Sequence, residues 1–150
     1  MKIRTLGIGL TFALLAACNR GGPTTAASTQ RFTRNVDATP SRVVDATTAI
    51  FAERMIPVAT TDQTNGRVTS VPLDPNAEWG NVPAAERVDC GAAAASDANS
   101  RLVLTMNVKR DNERSVLSLD AKRDGGASCV LRGPFMTELM DAIVARVAAS

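Results

Sequence analysis

Histidine and tyrosine are absent from this 150-residue chain, tryptophan occurs once, and aromatic residues make up only 3%. Without histidine the commonest general base and the commonest transition-metal ligand are both missing. Ser-His-Asp hydrolases, Cys-His proteases and the usual zinc sites are excluded in their ordinary forms. No run of basic residues occurs. Of 17 basic and 15 acidic residues, Lys2 and Arg4 are the only charges before Cys18, so basic and acidic residues balance beyond it. A neutral domain with interspersed charges is a poor match for nucleic acid or for an anionic surface. Also missing are a Gly-rich phosphate loop, an EF-hand loop and a nucleotide fingerprint. No uncharged apolar run reaches the roughly 20 residues of a membrane-spanning helix. The sequence therefore speaks of location and architecture more than of chemistry.

What is present begins at the N-terminus. Met1 to Thr5 is a short basic start, and Leu6 to Leu15 (LGIGLTFALL) is an uncharged apolar run of ten residues. That length suits the hydrophobic stretch of an export signal. It is followed by Leu15-Ala16-Ala17-Cys18. This segment resembles the lipobox of bacterial lipoproteins, Leu-(Ala/Ser)-(Gly/Ala)-Cys. The resemblance covers residues 1–18 and implies that the Cys18 sulfur receives a diacylglycerol, with cleavage leaving Cys18 first. The alternative is an ordinary secretory signal cut near Ala16-Ala17. Each buried CH2 of an acyl chain adds about 0.8 kcal/mol, and two or more chains hold stably. In enterobacterial lipoproteins an Asp after the cysteine retains the protein at the inner membrane. Asn19 stands there, which by that resemblance favours the outer membrane.

Residues 19–31 (NRGGPTTAASTQR) hold almost nothing to bury and read as a flexible linker. Its extended reach is at most about 45 Å. Its root-mean-square span is roughly 20 Å. The expected organisation is thus a signal peptide over 1–17, a lipidated cysteine with its linker over 18–31, and a single globular domain over 32–150.

Within that domain, Arg31 to Val36 reads as a short strand. Thr39-Pro40 reads as the start of a helix over about 40–55, with Thr39 as N-cap and Pro57 as terminator. Val58–Thr61 and Arg67–Leu73 flank Asn65-Gly66, a hairpin signal. Residues 74–87 read as a loop and Ala92–Ser100 as a small-residue spacer. Leu102, Leu104, Met106 and Val108 alternate with polar or smaller neighbours, a half-buried strand. Asp111-Asn112-Glu113 turns it back into Val116–Lys122. Gly125-Gly126 turns again into a strand near Ser128–Leu131. The last element is a helix from Pro134 to about Ala148, with Gly133 as its expected N-cap. Its apolar stripe holds Phe135, Met136, Leu139, Met140, Ile143, Val144 and Val147.

Short turns between strands require antiparallel pairing. Two amphipathic helices need the sheet's apolar face. The expectation is a small two-layer α+β domain, an antiparallel sheet of about 4–6 strands with two helices packed on one face. In element order and anchoring, without any shared sequence motif, this arrangement resembles the helix-grip modules of BamC, a lipoprotein of the outer-membrane assembly machine. The resemblance transfers no residue role.

Beyond Cys18, two cysteines remain, Cys90 and Cys129. In an exported domain such a pair is expected to form a disulfide; two free buried thiols and a redox thiol are the alternatives. Trp79 sits in a polar loop, where it either covers the core or serves as a contact for a partner. Asp111 with Glu113, and Asp120 with Asp124, invite reading as carboxylate pairs. They fall at turns or strand ends, where solvated charge is the norm. No catalytic, cofactor-binding or metal residue is assigned. The functional expectation is a non-enzymatic, periplasm-facing lipoprotein at the outer membrane, held by acylated Cys18 and binding another envelope protein. It would use an open sheet edge or the 74–87 loop. A structural subunit of an assembly or secretion machine is the second reading, and an envelope enzyme working through carboxylates the third.

Overall fold

The computed structural model describes residues 32–74, 77–91, 101–123 and 128–150. The element order is β1 (Phe32–Val36), α1 (Pro40–Glu53), β2 (Val58–Asp62), β3 (Arg67–Ser70), α2 (Ala84–Arg87), β4 (Val88–Asp89), β5 (Leu102–Asp111), β6 (Arg114–Arg123), β7 (Ser128–Leu131) and α3 (Gly133–Ala148). The domain is α+β, as expected, with one strand more than the upper expectation: seven strands pair in the order β2-β3-β5-β6-β7-β4, and β1 joins on β6. All pairings are antiparallel. The added strand is β4, two residues directly after the 74–87 stretch read as loop, which pairs Val88 with Leu131 and Asp89 with Val130. So short a strand carries no visible alternation.

The β5–β6 hairpin is the spine, with ten residues in each arm and continuous register from Leu102↔Arg123 to Asp111↔Arg114. Leu102, Leu104, Met106 and Val108 on β5, and Leu117, Leu119 and Ala121 on β6, are buried on one face. That face meets both long helices. α1 packs on β2, β3, β5 and β6 and against α3, which also touches β1. From α1 come Val43, Val44, Ile50 and Phe51, and from α3 come Phe135, Met136, Leu139, Met140, Ile143 and Val147. Met136 and Met140 are core.

The helix ends differ in detail from the sequence reading. Thr39 occupies the N-cap of α1 but makes no side-chain capping bond, and Pro40 takes the first helical position, where a missing N–H costs nothing. α1 stops before Pro57. Ile56 N–H donates to Phe51 O at 2.8 Å and Met55 N–H to Ala52 O at 3.1 Å, while Met55 turns left-handed at φ 55°. This is a Schellman ending, with Ile56 and Phe51 buried as its apolar pair. Arg132, not Gly133, is the N-cap of α3.

β3 ends at Ser70, earlier than expected, because Pro72 cannot donate to a ladder. The Ser70 hydroxyl carries the pairing one step further by accepting Leu104 N–H at 2.9 Å. Beyond it, Leu73 bridges Leu102.

Candidate functional site

Helices cover one face of the sheet. The other face is built from the opposite phase of each strand: Arg67 and Thr69 on β3, Thr105, Asn107 and Lys109 on β5, Ser118, Asp120 and Lys122 on β6. These eight side chains line a shallow concavity of about 520 Å³. Register brings them together. Arg67 lies opposite Asn107 and Thr69 opposite Thr105, while Asn107 lies opposite Ser118 and Thr105 opposite Asp120.

Hydrogen bonds tie the floor across three strands. Arg67 Nε donates to Asn107 Oδ1 at 3.3 Å, and Asn107 Nδ2 donates to Asp120 Oδ2 at 3.0 Å. Asn107 is thereby oriented, its carbonyl toward Arg67 and its amide toward Asp120. Asn107, Asp120, Thr105 and Ser118 are half-buried, whereas Arg67, Lys109 and Lys122 are exposed at the rim. The result is a polar dish with three cations around one central carboxylate. Beside it Asp62 pairs with Arg67 in the β2–β3 register. The Asp62 carboxyl is held below its ordinary value, first by the Asn65 side-chain amide and then by the Asn65 backbone N–H.

Chemically such a surface can bind a ligand rich in hydrogen-bonding groups, with acidic groups meeting the rim. It has no aromatic platform for stacking. Among the described residues no cluster of three or more carboxylates and cysteines is placed to hold a metal.

The sequence-predicted residues are scattered by comparison. Cys18 and Asp124 lie outside the described residues, as do the linker and the 92–100 spacer. Cys90 and Cys129 meet at an S–S distance of 2.07 Å, with Cα atoms 4.3 Å apart. They tie the segment after β4 to β7. Asp111 and Glu113 are exposed at the β5–β6 turn. Asp120 alone of these carboxylates belongs to the dish.

Trp79 is fully buried, so the contact reading gives way to the covering one. Its ring stacks on Phe135 with centroids 5.8 Å apart, and the Arg87 guanidinium lies over the same Phe135 ring, 4.9 Å from its centroid. The loop closes over this end of the core through Trp79 N–H to Val82 O at 2.8 Å and Gly80 N–H to Arg54 O at 2.6 Å. Trp79 Nε1 and Arg87 Nε are buried without a hydrogen-bond partner.

Arg67, Thr69, Asn107, Lys109 and Ser118 were not singled out by sequence reasoning. Their signal was the polar phase of the same alternation that located the strands. That phase names a solvent face but not which strands lie side by side. No protein family matches this chain, and no curated protein matches it.

Proposed function

We propose that the protein is a lipid-anchored binding module of the bacterial cell envelope, non-enzymatic, facing the periplasm from the outer membrane and engaging another envelope component through its polar sheet face. The observation that carries this reading is the Arg67–Asn107–Asp120 chain, which fixes side-chain positions across three strands before any ligand arrives. Fixed polar groups lose less entropy on binding than free ones. The lipobox at Leu15–Cys18 supports the anchor, and the Cys90–Cys129 pair suits an oxidising compartment. A tether of this length confines the domain within tens of ångströms of the membrane and raises its effective concentration for a partner there.

A second reading, a subunit of an envelope machine, draws on β2. Among the described residues this strand pairs only with β3, which leaves its outer edge available to strand addition. Two experiments separate these readings. Palmitate labelling is expected in the wild type and lost in Cys18→Ser. A photo-crosslinker at Ser118 is expected to capture one dominant envelope species, and a crosslinker at Thr60 on β2 is expected to capture little. Capture from Thr60 in a complex stable to mild detergent would favour the subunit reading, and equal palmitate labelling of both proteins would remove the anchor.

A further inference from the structure

The lining of the polar dish holds three cations and one carboxylate. Arg67, Lys109 and Lys122 stand at the rim, and Asp120 lies in the floor. Among the described residues none of these three cations has a carboxylate within ion-pair distance, whereas Arg34, Arg87, Arg101, Arg114 and Arg146 each have one elsewhere. Asp62 lies opposite Arg67 in the register, but one of its oxygens accepts the Asn65 backbone N–H and the other the Asn65 amide. Lys109 and Lys122 are also the only lysines beyond Cys18. Every other cation beyond Cys18 is an arginine, and both lysines fall on this one surface.

Register sets the spacing of these charges. Lys109 lies opposite Val116, and Lys122 lies opposite Val103. From Val103 to Lys109 along β5 is about 20 Å at the rise of a strand. Arg67 lies opposite Asn107, one strand over, which puts it about 8 Å from Lys109. No single small anion meets both lysines. Between them the floor offers the hydroxyls of Thr69, Thr105 and Ser118 and the carboxylate of Asp120, which accepts from Asn107. A ligand charged on every unit sets one acid against Asp120. A ligand whose acids are separated by neutral, hydroxyl-bearing units places acids on the cations and a hydroxyl donor on Asp120. A peptide fits less well. The lining has no apolar side chain to receive an anchor, and strand addition uses the edge of a sheet, not its face.

We propose that the dish binds an acidic glycan strand in which carboxylate-bearing sugars alternate with neutral ones, laid along β5 and β6 from Lys109 to Lys122. This deepens the binding-face reading given above and rests on it. Arg67 and Lys109 receive acids at one end and Lys122 receives one at the other. The Arg67–Asn107–Asp120 chain holds the central acceptor in place. An exposed cation–carboxylate contact is weak alone, so affinity comes from several contacts made at once by one strand.

The test uses the full-length protein in non-ionic detergent with three hexasaccharides. Hyaluronan carries a carboxylate on alternate sugars, oligogalacturonate carries one on every sugar, and N-acetylchitohexaose is neutral. Acetic anhydride labels Lys109 and Lys122, and mass spectrometry reads each separately. Hyaluronan hexasaccharide is expected to slow acetylation of both lysines several-fold, and chitohexaose of neither. Lys109→Gln and Lys122→Gln are each expected to weaken hyaluronan binding about two- to fivefold in calorimetry. Asp120→Asn keeps an acceptor for Asn107. It is expected to tighten galacturonate binding about two- to fivefold more than hyaluronan binding. Unchanged Trp79 emission identifies folded protein in each variant. No protection by hyaluronan, or equal protection by the neutral sugar, overturns the proposal. So does an Asp120→Asn variant that shifts both acidic sugars alike. If hyaluronan fails while a crosslinker at Ser118 still captures an envelope protein, the binding-face reading stands without the glycan. If Ser118 captures nothing as well, both fall.

Discussion

Met55 stands at φ 55° in the Schellman turn that ends α1. A side chain there costs about 1–2 kcal/mol, and glycine gives back part of that gain through its greater freedom when unfolded. Met55→Gly is expected to raise stability by about 1 kcal/mol, read as a higher urea midpoint at unchanged slope. Gly66 behaves in the opposite way. It sits at φ 61°, and a Cβ there would lie 2.1 Å from the Val108 carbonyl oxygen. That oxygen belongs to a backbone already fixed by Val108 N–H bonding Gly66 O at 2.7 Å. Gly66→Ala should therefore cost at least about 2 kcal/mol, more than the conformation alone, in the same urea experiment. At the same turn Asp62 has a folded-state pKa below its unfolded one, because Asn65 bonds the charged form. Its contribution is present above the unfolded pKa and disappears as pH falls through the lower folded value. Asp62→Asn should flatten the acid limb of the stability profile and leave the neutral limb unchanged in slope.

At the scale of elements, hydrophobic periodicity located every long one. α3 was legible from Phe135, Met136, Leu139, Met140 and Ile143, because helical spacing puts them on one stripe. Leu139 is 1% exposed and central to that stripe, so Leu139→Ala should cost about 2–5 kcal/mol in thermal or urea unfolding. The short elements β4 and α2 were not legible. Two and four residues are too few for a period, and β4 is defined by partners distant in sequence, Leu131 and Val130. Ser70 shows the same limit at a single site. Nothing local says that its hydroxyl will replace a missing ladder bond to Leu104. Ser70→Ala should strand that buried N–H and lower stability by about 1–3 kcal/mol. Restoration by Ser70→Thr would separate the hydrogen bond from packing.

For the whole molecule, the Cys90–Cys129 link spans 39 residues of sequence. In the chain-entropy view, closing a loop of that size stabilises by about 4 kcal/mol. The Cys90→Ala/Cys129→Ala double variant is therefore expected to unfold at a markedly lower temperature, and reductant should no longer shift its midpoint. The surface ion pairs Arg34–Asp141 and Arg114–Asp37, both at 2.7 Å, join elements far apart in sequence. Their exposure limits each to well under about 1 kcal/mol. The global balance therefore rests on the single core between sheet and helices and on the disulfide.

By itself the sequence determined the layers. Alternation in β5 and β6 and the stripes of α1 and α3 decide which side chains leave water, and antiparallel pairing follows from the short turns. The lipobox resemblance and the spacer after it are likewise properties of contiguous residues. Only the tertiary structure decided neighbours. It set Arg67, Asn107 and Asp120 in one row, although 40 residues separate the first two. It also buried Trp79 on Phe135. Periodicity is written into a strand by its own backbone geometry. Adjacency depends on which strand pairs with which, and that is settled by the free energy of the whole core.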